Sequence, residues 1–192
     1  SVTFDPLAPE ERLAVVSGSF SATTEKKILW AMQNGFEGIP VNPVELVSDE
    51  NGMATLDQLV DRGVDVLKRG RSVIFYSALS QTQGFVQLAP TDAELFRHRL
   101  GERLGKVLVN LIEQEKLKRA VIAGGDTSSH ALQQLGAYAL TLRMPLPATP
   151  GSPLCCAHSD VAAFDGLEIA LKGGQIGNDD YFGVIRDGRS AP

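Results

Sequence analysis

Ala120–Ser129 reads AVIAGGDTSS. Four small or branched apolar residues give way to two glycines, then to an acid and three hydroxyl residues that lead into a helical pattern. The same plan occurs on either side of it. Leu13–Ser21 is LAVVSGSFS and Leu167–Gly177 is LEIALKGGQIG. Each segment sets unhindered backbone N–H groups beside a helix N-terminus, where the helix dipole favours an anion. Three such turns in one chain, one carrying a lysine, point to a pocket for a polyphosphate.

Outward from these turns the pattern alternates between strand and helix. Leu13–Val16 is a short aliphatic strand, and Thr23 and Thr24 are candidate N-caps of a helix running to about Asn34, stopped by Gly35. A strand near Ile39–Val41 is interrupted by Pro40 and Pro43, which suggests a sheet edge. Met53–Arg69 is helical and ends at Gly70; Ser72–Ala78 is a strand, followed by a polar loop over Ser80–Gly84. Thr91–Glu115 reads as a long helix with breaks at Gly101 and Gly105, Ala120–Ala123 as a strand, and Ser128–Leu142 as a helix. Met144–Pro153, with four prolines, reads as irregular; Leu167–Leu171 is the last strand, and a short element begins at Asp179–Tyr181. Near-continuous apolar strands separated by helices imply an α/β fold: a mainly parallel sheet flanked by helices, in a Rossmann-like three-layer arrangement. In such sheets ligands bind outside the carboxyl ends of the strands, where all three turns fall.

Composition bounds the function. The chain has 192 residues, 43% of them hydrophobic, with 18 basic against 23 acidic side chains and a net charge of −5. One domain fits this length. No basic stripe stands out, so nucleic acid and anionic membrane are not expected partners. No apolar run approaches the roughly 20 residues of a membrane span. The two cysteines, Cys155 and Cys156, are neighbours, which disfavours a bridge between them and suits reduced thiols in the cytoplasm.

Residue by residue, the turns carry two readings. Ser17, Gly18, Ser19 and Ser21 offer hydroxyls that bond phosphate oxygens or cap the helix that follows. Gly124 and Gly125 allow close backbone approach or a positive φ. Asp126 is a candidate Mg²⁺ ligand or a cap, and Thr127, Ser128 and Ser129 add donors. Lys172 precedes Gly173 and Gly174, with Gly177 beyond, and lysine is a common phosphate partner. No G-x-x-x-x-G-K-[ST] and no strand-linked G-x-G-x-x-G occurs, which argues against a P-loop and against a dinucleotide fold. Cys155, Cys156, His158 and Asp160 match no zinc spacing. His130 lies one turn into the helix after the central turn, His98 lies on a charged helix, and Asp179 and Asp180 suit a helix N-terminus.

Taken together, Ser17-Gly18-Ser19 with Ser21 and Thr24, then Gly124-Gly125-Asp126-Thr127, then Lys172-Gly173-Gly174 with Gly177, resemble the C-terminal nucleotide-binding domain of the four-carbon acid sugar kinases. The resemblance runs from about Leu13 to Gly183. It implies binding of ATP and Mg²⁺, and phosphorylation of erythronate, threonate or oxo-tetronates. It also implies a sugar-acid-binding N-terminal domain, with an Asp-Asp-x-Thr-Gly motif and the base for the acceptor hydroxyl, that this chain does not contain. On that reading residues 1–12 are a linker segment, residues 13–192 form the ATP-binding domain, and the chain alone is inactive. Lys27 stands where a glutamine is frequent in the family, Phe20 where a small residue or cysteine is, and Asn178 where another glycine is. A homodimer is compatible with the sequence, as is a non-catalytic module that binds a phosphosugar or nucleotide as a signal.

Overall fold

The apolar runs become strands and the amphipathic stretches become helices around one sheet. A computed structural model describes residues 1–19, 21–77, 90–173 and 176–189, with the backbone alone at 90, 91, 126 and 127. In chain order the elements are β1 (Ala14–Ser17), α1 (Ala22–Gln33), β2 (Phe36–Val41), α2 (Pro43–Val47), α3 (Gly52–Lys68), β3 (Ser72–Ser77), α4 (Pro90–Glu115), β4 (Arg119–Ala123), α5 (Gly125–Gln133), β5 (Ala137–Met144), β6 (Leu154–Ser159), β7 (Glu168–Lys172) and α6 (Tyr181–Asp187). The seven strands are ordered β2-β3-β1-β4-β7-β6-β5. The first five are mutually parallel, and β6 and β5 add an antiparallel margin.

β1 and β4 are buried along their whole length because both faces of the sheet are covered. Alternate side chains feed two cores. Ala14, Val16, Ala120 and Ile122 pack against α2–α5 through Leu46, Leu56, Leu104, Leu108 and Ala131. Leu13, Val15, Val121, Ala123 and Ala170 pack against α1 and α6 through Ile28, Ala31, Tyr181, Phe182 and Ile185. The result is the expected α/β arrangement of three layers. β2, with Pro40, lies at the sheet edge as its prolines require.

Several expectations are corrected. The helix expected over Ser128–Leu142 ends at Gln133, and Ala137–Met144 is instead the outer strand. Gly136, at φ +60°, turns the chain between them. The AYALTLRM stretch contains alternation as well as helical spacing, and pairing with β6 decides between them. β6, built from the cysteine segment, was not anticipated. Gly101 and Gly105 do not break α4. A Cβ at Gly105 would come within 2.6 Å of the Ala131 carbonyl, so this glycine lets α5 approach α4 closely. Pro43 opens α2 at its first turn rather than interrupting a strand. The loop over 80–84, with Ala78, lies outside the described residues. Residues 1–12 lie along the body: Glu10 N–H donates to the Arg186 carbonyl at 2.8 Å, and Arg143 donates to the Asp5 and Pro6 carbonyls at 2.8 and 3.2 Å.

Candidate functional site

The three glycine-bearing turns meet because their strands are neighbours in register. Ser17 pairs with Ala123, and Ala123 with Lys172, so β1, β4 and β7 end level at the carboxyl edge of the sheet. From β1 the chain builds towards β3 and β2 on one side, while β4 and β7 lie on the other. This reversal of strand order is where open α/β sheets form a ligand crevice. Hydrogen bonds lock the turns to one another. Gly18 N–H donates to the Ala123 carbonyl at 3.1 Å, and Gly124 N–H donates to the Lys172 carbonyl at 2.9 Å.

Gly124 and Gly125 serve different ends. Gly124 has φ +117°, and a Cβ there would meet Ser19 N at 3.1 Å, so it is glycine for conformation and for packing on the first turn. Gly125 has no such constraint: a Cβ would meet no atom within 4 Å, and the same holds at Gly173. Open space beside two backbone segments at one sheet edge is what an approaching phosphate needs. The first bond inside α5 runs from Ser128 N–H to the Gly124 carbonyl at 3.0 Å, so the amides of residues 125–127 have no partner within the helix.

The hydroxyls divide in the same way. The cap of α1 is Ser21, not Thr23 or Thr24: its backbone is extended and its Oγ accepts from Thr24 N–H at 3.2 Å. Ser19, Ser21 and Thr24 place their hydroxyl oxygens 2.9–3.3 Å apart in one cluster. Ser128 Oγ donates back to the Gly125 carbonyl at 2.8 Å. Ser17 differs. It is fully buried, and its Oγ has no hydrogen-bond partner among the described residues. The side chains of Asp126 and Thr127, and all of Gly174, lie outside what the structure describes.

Two lysines dominate the electrostatics. Lys172 is 1% exposed, with its Nζ 5.9 Å from the centre of the Tyr181 ring. Burial, and secondarily the charge of Lys27, push its ammonium pKa down to about 8. Lys27, on α1, is fully buried; burial lowers its pKa, Asp179 opposes that shift, and Lys26 adds to it. Gly177, at φ +93°, closes this side: a Cβ there would sit 3.0 Å from Thr149 Cγ2 and 3.7 Å from Lys27 Cε. Tyr181 is buried with its hydroxyl unpartnered among the described residues, and burial raises its pKa, so the phenol is neutral. Sequence reading did not single out Lys27 as a site residue. The signal was its place on the stripe Thr24, Lys27, Ile28 and Ala31, which is the buried face of α1. The buried Ser17 hydroxyl, the open glycine backbones and the two ammoniums together form a donor set suited to a polyphosphate.

Other candidates lie apart from this edge or lack reactivity. His130 stacks on His98 with ring centres 4.0 Å apart. Cys155 lies on β6, where burial and then Cys156 push its thiol pKa up, away from the thiolate a nucleophile needs. A cavity of about 700 Å³ lies at the opposite end of the sheet, where β4 and β7 begin, lined by Lys118, Arg143, Cys156, Asp165 and Glu168. Glu168 there is paired with Arg119 at 2.8 Å and Arg143 at 3.1 Å, so its charge is answered within the protein.

Residues 14–182 match the protein family described as nucleotide-binding C-terminal domain. Among curated proteins, 3-oxo-isoapionate kinase of Paraburkholderia graminis is 37% identical over 191 residues, covering 95% of this chain and 40% of that protein. D-threonate kinase of Salmonella typhimurium is 26% identical over 172 residues, covering 86% of this chain and 39% of that protein. The fold is shared with a domain of unknown function from Bordetella bronchiseptica, solved with bound citrate as a domain-swapped dimer. That match has TM-score 0.68 and 21% identity, and covers 95% of this chain and 43% of that one. The chain thus spans about two fifths of the length of the curated relatives it matches.

Proposed function

The chain belongs to the family of nucleotide-binding C-terminal domains, and from that premise we propose that it is the ATP-binding part of a kinase for four-carbon sugar acids such as erythronate, threonate or an oxo-tetronate. The observation that carries this reading is the level meeting of the three turns at β1, β4 and β7, with buried lysine ammoniums on one side and open glycine backbone on the other. The related kinases named above act on different acids, yet each is matched over nearly the whole of this chain. A portion common to kinases of different acids suits the common substrate, the nucleotide. The acid and the base that activates its hydroxyl belong, on this reading, to the part of the relatives that this chain does not match.

Each residue has a task that follows from its position. The amides at Gly125 and residues 126–127 present donors at the start of α5, Gly124 sets the turn through its own bond to the Lys172 carbonyl, and Gly173, with Gly174 next in sequence, is assigned to the same cradle. Ser17 offers a buried hydroxyl that lacks a partner among the described residues. Gly18 fixes the first turn against β4, and Ser19 and Ser21 order it through their cluster with Thr24. Lys172 sets an ammonium in surroundings where its attraction for phosphate is little screened. Gly177 lets the following loop fold back over Thr149 and Lys27. Asp126, in the first turn of α5, is the residue we assign to Mg²⁺ or its waters, and MgATP when bound supplies the phosphoryl group and the metal charge. Phosphoryl transfer asks a protein chiefly for such positioning and charge stabilisation.

Titration calorimetry of the chain with MgATP and with adenosine tests the proposal. The expected result is weak binding of MgATP, stronger than that of adenosine, with no phosphorylation of tetronates by this chain alone. Absence of binding at millimolar MgATP would overturn it.

A further inference from the structure

Resting on the reading that this edge binds nucleotide phosphates, we propose that Lys27 is a second polyphosphate-binding cation, set beside Lys172, and that Asp179 is the counter-ion with which the incoming anion competes. The pleat of the sheet brings these side chains together. Val15 and Ser17 on β1, Val121 and Ala123 on β4, and Ala170 and Lys172 on β7 alternate onto one face of the sheet, the face covered by α1 and α6. Ser17 and Lys172 therefore point to the side from which α1 presents Thr24, Lys27, Ile28 and Ala31. The stem of Lys27 reaches the loop after β7, its Cε lying 3.7 Å from where a Cβ on Gly177 would be.

What Lys27 finds there is too little for a buried ammonium. It carries three donors, and its direct partner among the described residues is the Thr23 carbonyl at 3.5 Å, the long limit of a hydrogen bond. It forms no ion pair within 4 Å among the described residues, although a buried charge is ordinarily paired. The charged and titratable groups around it are Asp179 on the approach to α6, Lys26 on its own helix, Lys172 on β7 and Tyr181 on α6, whose phenol is neutral. Among the described residues, Lys27 and Lys172 bring two buried ammoniums to this edge, with the exposed Asp179 on the approach to α6. Burial is the leading cause that lowers both ammonium pKa values, and the charge of Lys27 adds to it at Lys172. The buried Ser17 hydroxyl on the same face, without a partner among the described residues, is a second, independent donor. An anion with adjacent charged groups can reach both ammoniums at once, whereas a single phosphate reaches one.

The test uses the 192-residue chain without metal, in the presence of a chelator, titrated with inorganic tripolyphosphate, ATP and adenosine. Lys27→Gln and Lys27→Met should each weaken tripolyphosphate and ATP about ten- to hundredfold, the size of one charge-assisted contact, with adenosine unchanged and thermal stability equal or higher. Asp179→Asn should act in the opposite direction and tighten tripolyphosphate about two- to fivefold, as removal of a partly screened like charge does. Equal ATP affinity in wild type and both Lys27 variants overturns the role of Lys27 and leaves the nucleotide reading standing. Tripolyphosphate that binds wild type as tightly as ATP, and weakens on Lys27 replacement, supports the two-cation pocket while removing the case for adenine recognition. Parallel loss of ATP and adenosine, or absence of tripolyphosphate binding to wild type, overturns the proposal. If neither Lys27 variant folds, Asp179→Asn decides: tightening supports it, and no change or weakening overturns it.

Discussion

Lys172 is a residue whose charge works against its own fold. Its ammonium pKa of about 8 lies below the ordinary lysine value of 10.5 because burial and Lys27 disfavour the charged form. Between those two values the unfolded chain binds more protons than the folded one, so stability without ligand rises with pH across that window. Affinity for an anion runs the other way, because the deprotonated amine no longer attracts it. ATP affinity should therefore fall as pH climbs from 7 to 9 while thermal stability holds or improves. Lys172→Met should abolish the fall in affinity and flatten that part of the stability profile. At pH 7, Lys172→Ala should weaken ATP about ten- to hundredfold, from loss of a charge-assisted hydrogen bond of about 1.5–3 kcal/mol, and leave adenosine unchanged. Gly125 is the complementary case. A Cβ there meets no atom of the described residues within 4 Å, so Gly125→Val should stay folded by circular dichroism and lose nucleotide binding; a folded variant that binds ATP normally would remove Gly125 from the cradle.

At the scale of elements, the site is held by how α5 sits on α4. Gly105 has Ala131 backbone atoms 2.6 and 2.8 Å from where its Cβ would be. Gly105→Ala should cost about 1–3 kcal/mol in urea unfolding through overpacking against backbone that cannot turn aside. Because α5 begins at the central turn, ATP should also bind more weakly. The sequence was legible wherever an element announces itself locally. The apolar strands β1, β3, β4 and β7, the glycines that stop α1 and α3, and the edge proline of β2, Pro40, were all readable, and with them the parallel sheet and the location of the three turns. It was not legible where partners decide. AYALTLRM suits a helix and a strand, and only β6 alongside makes it β5. The sequence offers Ser21, Thr23 and Thr24 alike as caps of α1, and the path of the chain out of β1 selects Ser21. Lys27 looks like any charged helix residue until the sheet edge, Gly177 and Tyr181 enclose it.

At the scale of the whole molecule, two places could take a small ligand, and they lie at opposite ends of the sheet. The cavity at the start of β4 and β7 is about 700 Å³, and its Glu168 is matched to Arg119 and Arg143. The carboxyl edge instead gathers glycine backbone, an unpartnered buried hydroxyl and two buried ammoniums. The proposed site for the nucleotide phosphates is this carboxyl edge. Backbone amide NMR of the chain, titrated with MgATP, tests this most directly. The account predicts that the Gly18, Gly124, Gly125 and Gly173 signals shift together and saturate, that tripolyphosphate moves the same signals, and that adenosine leaves them in place. Shifts confined to Lys118, Arg143, Asp165 and Glu168, with those four glycines unmoved, would contradict it.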